Sequence, residues 1–344
     1  MKRIILIICF LILLIGLGIV YSAYRWIYEP NINTELEELS VKIPSHSSFS
    51  DVLDILKSKD ILKDTSSFKR IADFMKYSKD EVPSGVYQIQ PFWNNRQLIG
   101  HLRSGNQAPM KVTFNNVRTI QELTGKLTSY LEPDSLEFLN YILNPEKLNE
   151  LGYTPDNVMS LFIPNTYNFY WDMDAQDIIE RMVKERDAFW SKNNRIEKAK
   201  DLGFTKEEIY TLASIVEKES LRDHEQPIIA GLYLNRLQQG IMLQADPTVV
   251  FAVGDFTIRR VLNKHLAIES PFNTYKHAGL PPGPIYMPSI KSIDAVLNPT
   301  KHDYLYMCAK PGYNSEHLFA ETDIEHIRNA NKYRAWLDKE RIKK

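Results

Sequence analysis

Thr205-Lys206-Glu207-Glu208-Ile209-Tyr210-Thr211-Leu212-Ala213-Ser214-Ile215-Val216-Glu217-Lys218-Glu219-Ser220 decides how the rest of the chain is read. Thr205 and Glu208 form a capping box. The Thr205 hydroxyl accepts from the backbone at Glu208, and the Glu208 carboxylate reaches back to the N-cap. Ile209, Leu212, Ala213, Ile215 and Val216 recur at three- and four-residue spacings, so a helix with one apolar face runs to Ser220. Two carboxylates lie near its end. At about 100° per residue, Glu219 falls almost above Leu212, at the edge of the apolar stripe, and Glu217 falls well away from it. Glu219 is therefore expected half-buried, near a helix C-terminus whose dipole disfavours negative charge. Both effects raise a carboxyl pKa, and a carboxyl protonated near neutral pH can donate to a leaving oxygen. The plainer reading, a glutamate that caps or pairs on a helix surface, describes most helical glutamates and stands beside it.

The segments downstream favour the chemical reading. Ala230-Gly231-Leu232-Tyr233-Leu234-Asn235-Arg236-Leu237 is a second amphipathic helix ended by Gly240, and Leu243-Gln244-Ala245-Asp246-Pro247-Thr248 reads as a polar turn. Ser270-Pro271-Phe272-Asn273-Thr274-Tyr275 leads to Gly279-Leu280-Pro281-Pro282-Gly283-Pro284, too rich in Gly and Pro for a helix or central strand. Such a loop can line a polar groove with Asn, Thr and Tyr side chains; a packed surface loop is the equal alternative. Asp246 can contact substrate or stabilise positive charge there, or cap the Pro247-Thr248 turn.

Upstream, Lys2 and Arg3 precede an apolar run from Ile4 to Ala23. About 20 such residues span a bilayer as a helix, longer than the core of a cleaved signal. Tyr21-Ser22-Ala23 is a poor cleavage site, and Cys9 lies too early for lipid attachment, so an uncleaved single-pass anchor is expected. The leading charges place its N-terminus in the cytoplasm and the rest of the chain outside, with Tyr21, Tyr24, Trp26 and Tyr28 as an interfacial belt. Residues 29–40 read as a linker. Strand Val41–Pro44, helix Ser47–Leu62, helix Ser66–Tyr77, strand Gly85–Ile89 and helix Asn95–Arg103 closed by Gly105 follow. That order, over residues 41–108, resembles a LysM-like module, a binder of GlcNAc-containing glycans; a small α+β spacer is the alternative. Val112-Thr113-Phe114 starts a further strand. Thr119 to about Lys200 is helical in pattern, interrupted by a Pro-containing turn at Phe162-Ile163-Pro164-Asn165-Thr166-Tyr167.

The chain has 344 residues, 44% hydrophobic and 25% charged, with a formal net charge of -1. It can bury a real core, and it has no basic block with interleaved aromatics, so nucleic acid is not an expected partner. Two cysteines, one of them inside the apolar run, make no disulfide framework, and the 8 histidines show no metal-ligand spacing, so no cofactor is expected.

In order, Ala213 to Ser220, Leu234-Asn235-Arg236-Leu237, Leu243 to Val249, Asn273-Thr274-Tyr275, Gly279 to Pro284, Tyr304-Leu305-Tyr306 and His317-Leu318-Phe319 resemble the motif string of the YceG-like (MltG) endolytic murein transglycosylases, over roughly residues 110–335. The resemblance implies an α+β chain with three parts. These are a transmembrane helix within residues 1–28, the LysM-like module, and a mainly helical lysozyme-like domain with short strands over residues 109–344, its catalytic core at about 203–335. The family's catalytic glutamate falls on Glu219. Asn235, Gln244, Asp246, Asn273, Tyr275 and His317 are the substrate-groove candidates. The implied reaction cleaves the MurNAc–GlcNAc β-1,4 bond of nascent peptidoglycan strands at the inner membrane, on its periplasmic side, and ends their elongation. Peptidoglycan synthases are partners of such an activity. Glu219 protonates the glycosidic oxygen, the sugar's own 6-hydroxyl attacks the anomeric carbon, and the ionised Glu219 takes that hydroxyl's proton, leaving a 1,6-anhydroMurNAc end. Two departures stand out: Asn165 where the family often has Asp, and Glu316 where a Gly commonly precedes the late His. A water-using muramidase and a membrane-anchored glycan-binding scaffold without catalysis are the competing readings.

Overall fold

The apolar run becomes helix α1 (Lys2–Tyr28), long and apolar enough to cross a membrane, with its side chains from Ile4 to Val20 exposed. The structure, a computed structural model, describes residues 2–35, 39–312 and 314–340. The chain divides into two compact units. The architecture is helix-rich, with three two-stranded sheets among the described residues.

The first unit holds α1, β1 (Ser40–Ile43), α2 (Phe49–Ser58), α3 (Thr65–Phe74), β2 (Gly85–Gln88) and α4 (Asn95–Ser104). The expected strand–helix–helix–strand–helix order is present. Helices α2, α3 and α4 each start on a side-chain cap that satisfies orphan backbone donors. Ser48 and Asp51 close one capping box, Asp64 caps α3, and Asn94 with Gln97 closes another. Helix α2 is shorter than its pattern suggests, because Asp60 takes a left-handed φ of 52° and turns Ile61 and Leu62 into the core. Gly105, at φ 68°, ends α4 as expected. Strands β1 and β2 pair antiparallel, Val41 opposite Tyr87.

Two expectations need correction here. The segment read as a linker is not a free tether at its start: Ile32 is fully buried, and the Asn31 amide donates to Asn95 Oδ1 at 2.7 Å and to the Asp64 carbonyl at 2.8 Å. Apolar burial and a satisfied buried amide fix it; residues 36–38 of that segment lie outside the described ones. Trp26, read into the aromatic belt, is also part of the folded unit. It packs on the unit's core, with the Arg70 guanidinium 4.5 Å from its ring centre. The unit also takes in residues 130–133 and 168–174, so it is not a continuous 41–108 module. Glu132 accepts from the Ser45 backbone and hydroxyl, and Asp172 accepts from Ser84 and Gln107.

Later in the chain come β3 (Met110–Phe114), α5 (Ile120–Thr128), α6 (Ser135–Ile142), α7 (Pro145–Leu151), β4 (Asn165–Phe169), α8 (Ala175–Trp190), α9 (Arg195–Leu202) and α10 (Lys206–Glu219). After them come α11 (Gln226–Gln238), α12 (Asp246–Val253), α13 (Asn263–Leu266), α14 (Ile290–Leu297), β5 (Tyr306–Ala309), β6 (His317–Ala320) and α15 (Asp323–Lys339). The Pro164 turn is shorter than expected, because Asn165 already enters β4, which pairs with β3. The polar turn at Leu243–Thr248 likewise gives way to a helix at Asp246, with Pro247 in the first turn, where its missing N–H costs nothing.

The second unit, which holds α10, is built around that helix. Its capping box forms as read, with Thr205 and Glu208 each bonded to the other's backbone. Every residue from Ile209 to Val216 is buried, so α10 is a central pillar rather than a one-faced surface helix. Its buried polar groups are satisfied: Tyr210 donates to the Phe162 carbonyl at 2.9 Å, and Ser214 Oγ accepts from the Ile285 backbone at 3.0 Å. The Gly-Pro loop packs tightly. A Cβ at Gly283 would fall 2.5 Å from the Asp156 carbonyl carbon and closer still to its oxygen. Gly283→Ala should therefore lower stability by about 1–3 kcal/mol, the usual cost of overpacking against backbone, and a thermal melt of the full chain checks it. An unchanged melting temperature would mean that this contact is not close.

Candidate active site

Glu219 is the last residue of α10. The Ser220 backbone that follows is extended, so the helix stops where the carboxyl leaves the core. The side chain is half-buried, beneath α11. There Tyr233, itself buried, donates its hydroxyl to Glu219 Oε1 at 2.7 Å. Burial is the main force raising the Glu219 pKa, to about 7; the charge on Asp246 adds to it and the Tyr233 bond opposes it. The carboxyl is thus poised to hold a proton near neutral pH.

Glu217, two residues earlier, has a different environment. It was expected on the open face. Instead it is half-buried and accepts from the Ser289 backbone at 3.1 Å, the Ser289 hydroxyl at 2.7 Å and the Ser292 hydroxyl, at the N-terminus of α14. With that many donors at a helix N-terminus, Glu217 ties the end of α10 to the start of α14. Position on the helix alone did not separate the two glutamates; their donors do.

A cavity of about 350 Å³ opens on Glu219, with Tyr233, Arg236, Gln244, Asp246, Tyr275, Tyr306, His317 and His326 in its walls. A second hollow of about 310 Å³ also has Glu219 and Asp246 in its wall, together with Arg118, Lys218, Phe251, Phe256, Arg259 and Tyr286. The two carboxylates therefore stand where the hollows meet. The Arg118 guanidinium lies 4.5 Å from the Phe256 ring centre, and the Lys218 ammonium 4.6 Å from that of Tyr286.

Of the groove candidates, Gln244, Asp246, Tyr275 and His317 line the cavity with Glu219. Asp246 is not a cap: α12 has no side-chain cap bond, and Asp246 Oδ1 instead accepts from the Tyr275 hydroxyl at 2.6 Å. Gln244 sits at a left-handed φ of 51°, its Oε1 accepting from Arg236 at 2.8 Å. The other two candidates are corrected. Asn235 points away from the cavity and donates to the His302 and Tyr304 carbonyls, at 2.8 and 3.1 Å. Asn273 is fully buried and donates to the Leu266 and Ile268 carbonyls, at 3.0 and 2.9 Å. These amides are spent on nearby carbonyls left bare by loops, and neither residue is in the cavity lining. Among the described residues, no three His, Cys, Asp or Glu side chains cluster as metal ligands.

Sequence reasoning missed Tyr233 and Arg236. Arg236 donates to the Met242 and Leu305 carbonyls and to Gln244, tying α11 to the cavity's far wall. A signal was available: Tyr233 and Arg236 are three apart and share a helix face, while Asn235 is turned about 100° from Arg236. Arg118 lies about a hundred positions from Lys218, and nothing local announces their meeting.

Comparison with known proteins accords with this arrangement. A Bacillus subtilis protein named endolytic murein transglycosylase is 30% identical over 93% of this chain and 91% of its own length. A Streptococcus pneumoniae protein of the same name is 25% identical over 90% of this chain, which spans 61% of that longer relative. The crystal structure of a yceG-like protein from Listeria monocytogenes, 29% identical, superposes with a TM-score of 0.56 over 85% of this chain and 98% of that one. The sequence model of the YceG-like family matches residues 41–332. With the family model covering most of the chain and a relative aligned almost end to end, this protein belongs to the YceG-like family.

Proposed function

We propose that the protein is an endolytic murein transglycosylase, cleaving the MurNAc–GlcNAc β-1,4 bond inside peptidoglycan strands with Glu219 as general acid. One observation carries the reading: a carboxyl held at about 7 stands where two hollows meet. A chain that continues past the broken bond on both sides needs space on both sides of the acid. The activity is the one for which the Bacillus and Streptococcus relatives are named.

Protonated Glu219 gives its proton to the glycosidic oxygen as an oxocarbenium-like state develops. Asp246, fixed by Tyr275 in the same cavity, supplies a negative charge to that developing cation. The 6-hydroxyl of the same sugar attacks the anomeric carbon, an intramolecular step favoured by proximity. Its proton passes to a base in the cavity, and Glu219 is ionised by then. No water is consumed, and the product ends in 1,6-anhydroMurNAc. Tyr275, Gln244 and His317 are the substrate contacts of this reading. Helix α1 supports a single-pass anchor, with Lys2 and Arg3 on the cytoplasmic side and the catalytic unit on the periplasmic side of the inner membrane. The element order of the first unit supports a LysM-like, glycan-binding role for it.

Glu219→Gln should lower activity by about 10²–10⁴-fold, the usual contribution of a general acid, with the fold retained. Mass spectrometry of anhydro-ended muropeptides released from sacculi checks this, and undiminished release would place the acid elsewhere. The alkaline limb of kcat/KM should fall near pH 7, where Glu219 loses its proton. Tyr233→Phe removes a bond that favours the carboxylate, so that limb should move to higher pH; Asp246→Asn removes a repelling charge, so it should move lower. Shifts in the opposite directions would show that other charges govern the acid.

Stability carries the same signature. A pKa raised on folding means that the folded chain binds the proton more tightly. Stability therefore declines as pH rises from the unfolded value of 4.5 through about 7. Above that range the buried carboxylate should cost on the order of 1–3 kcal/mol. Glu219→Gln should accordingly melt higher than the native protein in alkaline buffer and lose that advantage in acid, as read by paired thermal melts.

A further inference from the structure

The loop after α10 brings a second carboxylate, Glu225, behind His317 of the cavity wall, and it is 3% exposed. Glu225 Oε1 accepts from the His317 backbone N–H at 2.7 Å. Its Oε2 faces His317 Nδ1 at 3.0 Å and accepts from the Ser220 hydroxyl at 2.9 Å. Burial alone would raise its pKa, but the bonds from His317 and Ser220 outweigh that and hold it below the usual carboxylate range. Glu225 also precedes α11, whose N-terminus favours a negative charge.

An ionised carboxylate only accepts hydrogen bonds. The hydrogen between Glu225 and His317 must therefore sit on Nδ1, so that whenever the ring is neutral its lone pair is on Nε2. Nε2 has no hydrogen-bond partner among the described residues, and His317 lines the cavity that Glu219 heads. A buried carboxylate that fixes an imidazole tautomer, beside a cavity holding a separate acid, is the arrangement of an oriented base.

We propose that His317 Nε2, held by Glu225, is the base that takes the proton of the attacking 6-hydroxyl, leaving Glu219 the acid role alone. This rests on the transglycosylase reading above. As O6 bonds to the anomeric carbon, its proton passes to Nε2. The bond to the glycosidic oxygen breaks with its electron pair, and that oxygen takes the Glu219 proton. The step ends with an imidazolium and a carboxylate. Return of one proton from His317 to Glu219, directly or through solvent, restores both, and no water is used. Glu225 is a positioning residue, acting through the ring.

The charged or titratable groups around the ring are Glu225 behind it, Glu316 next in sequence, and Glu219, Arg236, Asp246 and His326 in the cavity wall, with the Tyr233, Tyr275 and Tyr306 phenols and the Cys308 thiol in that wall too. A neutral ring is required, so kcat should fall at acid pH as His317 takes up a proton. His317→Asn keeps a donor for Glu225 but has no Nε2. It should lower kcat by about 10²–10⁴-fold and abolish the acid limb of the pH profile. Glu225→Gln removes the charge that stabilises the imidazolium, so the acid limb should move to lower pH, with circular dichroism confirming that the chain is folded. Full-length protein, sacculi and mass spectrometry of anhydro ends serve as the assay. A His317→Asn protein with the acid limb of the native enzyme overturns the proposal, as does one with undiminished kcat. Native protein that releives no anhydro ends overturns instead the reading beneath it, so the two failures are told apart.

Discussion

The proton on Glu219 depends on a helix that is buried on every side for eight residues before it ends. Alpha-helix α10 delivers its last side chain at the edge of the core, where burial outweighs the Tyr233 hydrogen bond and the carboxyl settles at about 7. A solvated glutamate would be fully ionised there. The whole arrangement of α11, the Gln244–Asp246 segment and the β5–β6 hairpin serves to keep this one carboxyl dry while leaving it open to a cavity.

Three glutamates within nine positions have three different fates, and the difference lies in their donors. Glu217 receives hydroxyls and a backbone N–H from the start of α14 and anchors that helix. Glu225 receives His317 and Ser220 and stays ionised while buried. Glu219 receives only the Tyr233 hydroxyl, with Asp246 pushing against its charge. Burial without enough donors keeps a proton, and burial with donors expels it. The same physics that satisfies two of these residues leaves the third with its proton, at a cost in stability once that proton is lost.

Hydrogen bonds tie together the segments that form the cavity walls. Arg236 spends its guanidinium on the Met242 and Leu305 carbonyls and on Gln244. Thr274 accepts from the Ala245 backbone at 3.0 Å and meets Thr248 at 2.8 Å, so the segment bearing Tyr275 is fixed to the segment bearing Asp246. Asn235 and Asn273 do the same work from behind the wall. A satisfied polar network holds side chains in one geometry.

Local physics made much of this legible in the chain itself. The capping box at Thr205, the apolar spacing of α10, the long run of α1 and the caps at Ser48 and Asn94 all act within four residues, so the sequence pattern predicts them directly. The place of Glu219 at the edge of the apolar stripe follows from helical pitch in the same way, but only its donors set it apart from Glu217. What sequence could not decide is which polar groups meet across long separations. Asp246 starts a helix instead of a turn, Asn235 and Asn273 serve the scaffold, and Ile32 in an apparent linker is core. Tyr233 over Glu219, Tyr275 on Asp246 and Glu225 beneath His317 exist only once distant segments are packed together. Helix type and facing are short-range consequences of residue spacing. The pKa of a carboxyl depends on who donates to it and how little water remains, and only the tertiary structure sets both.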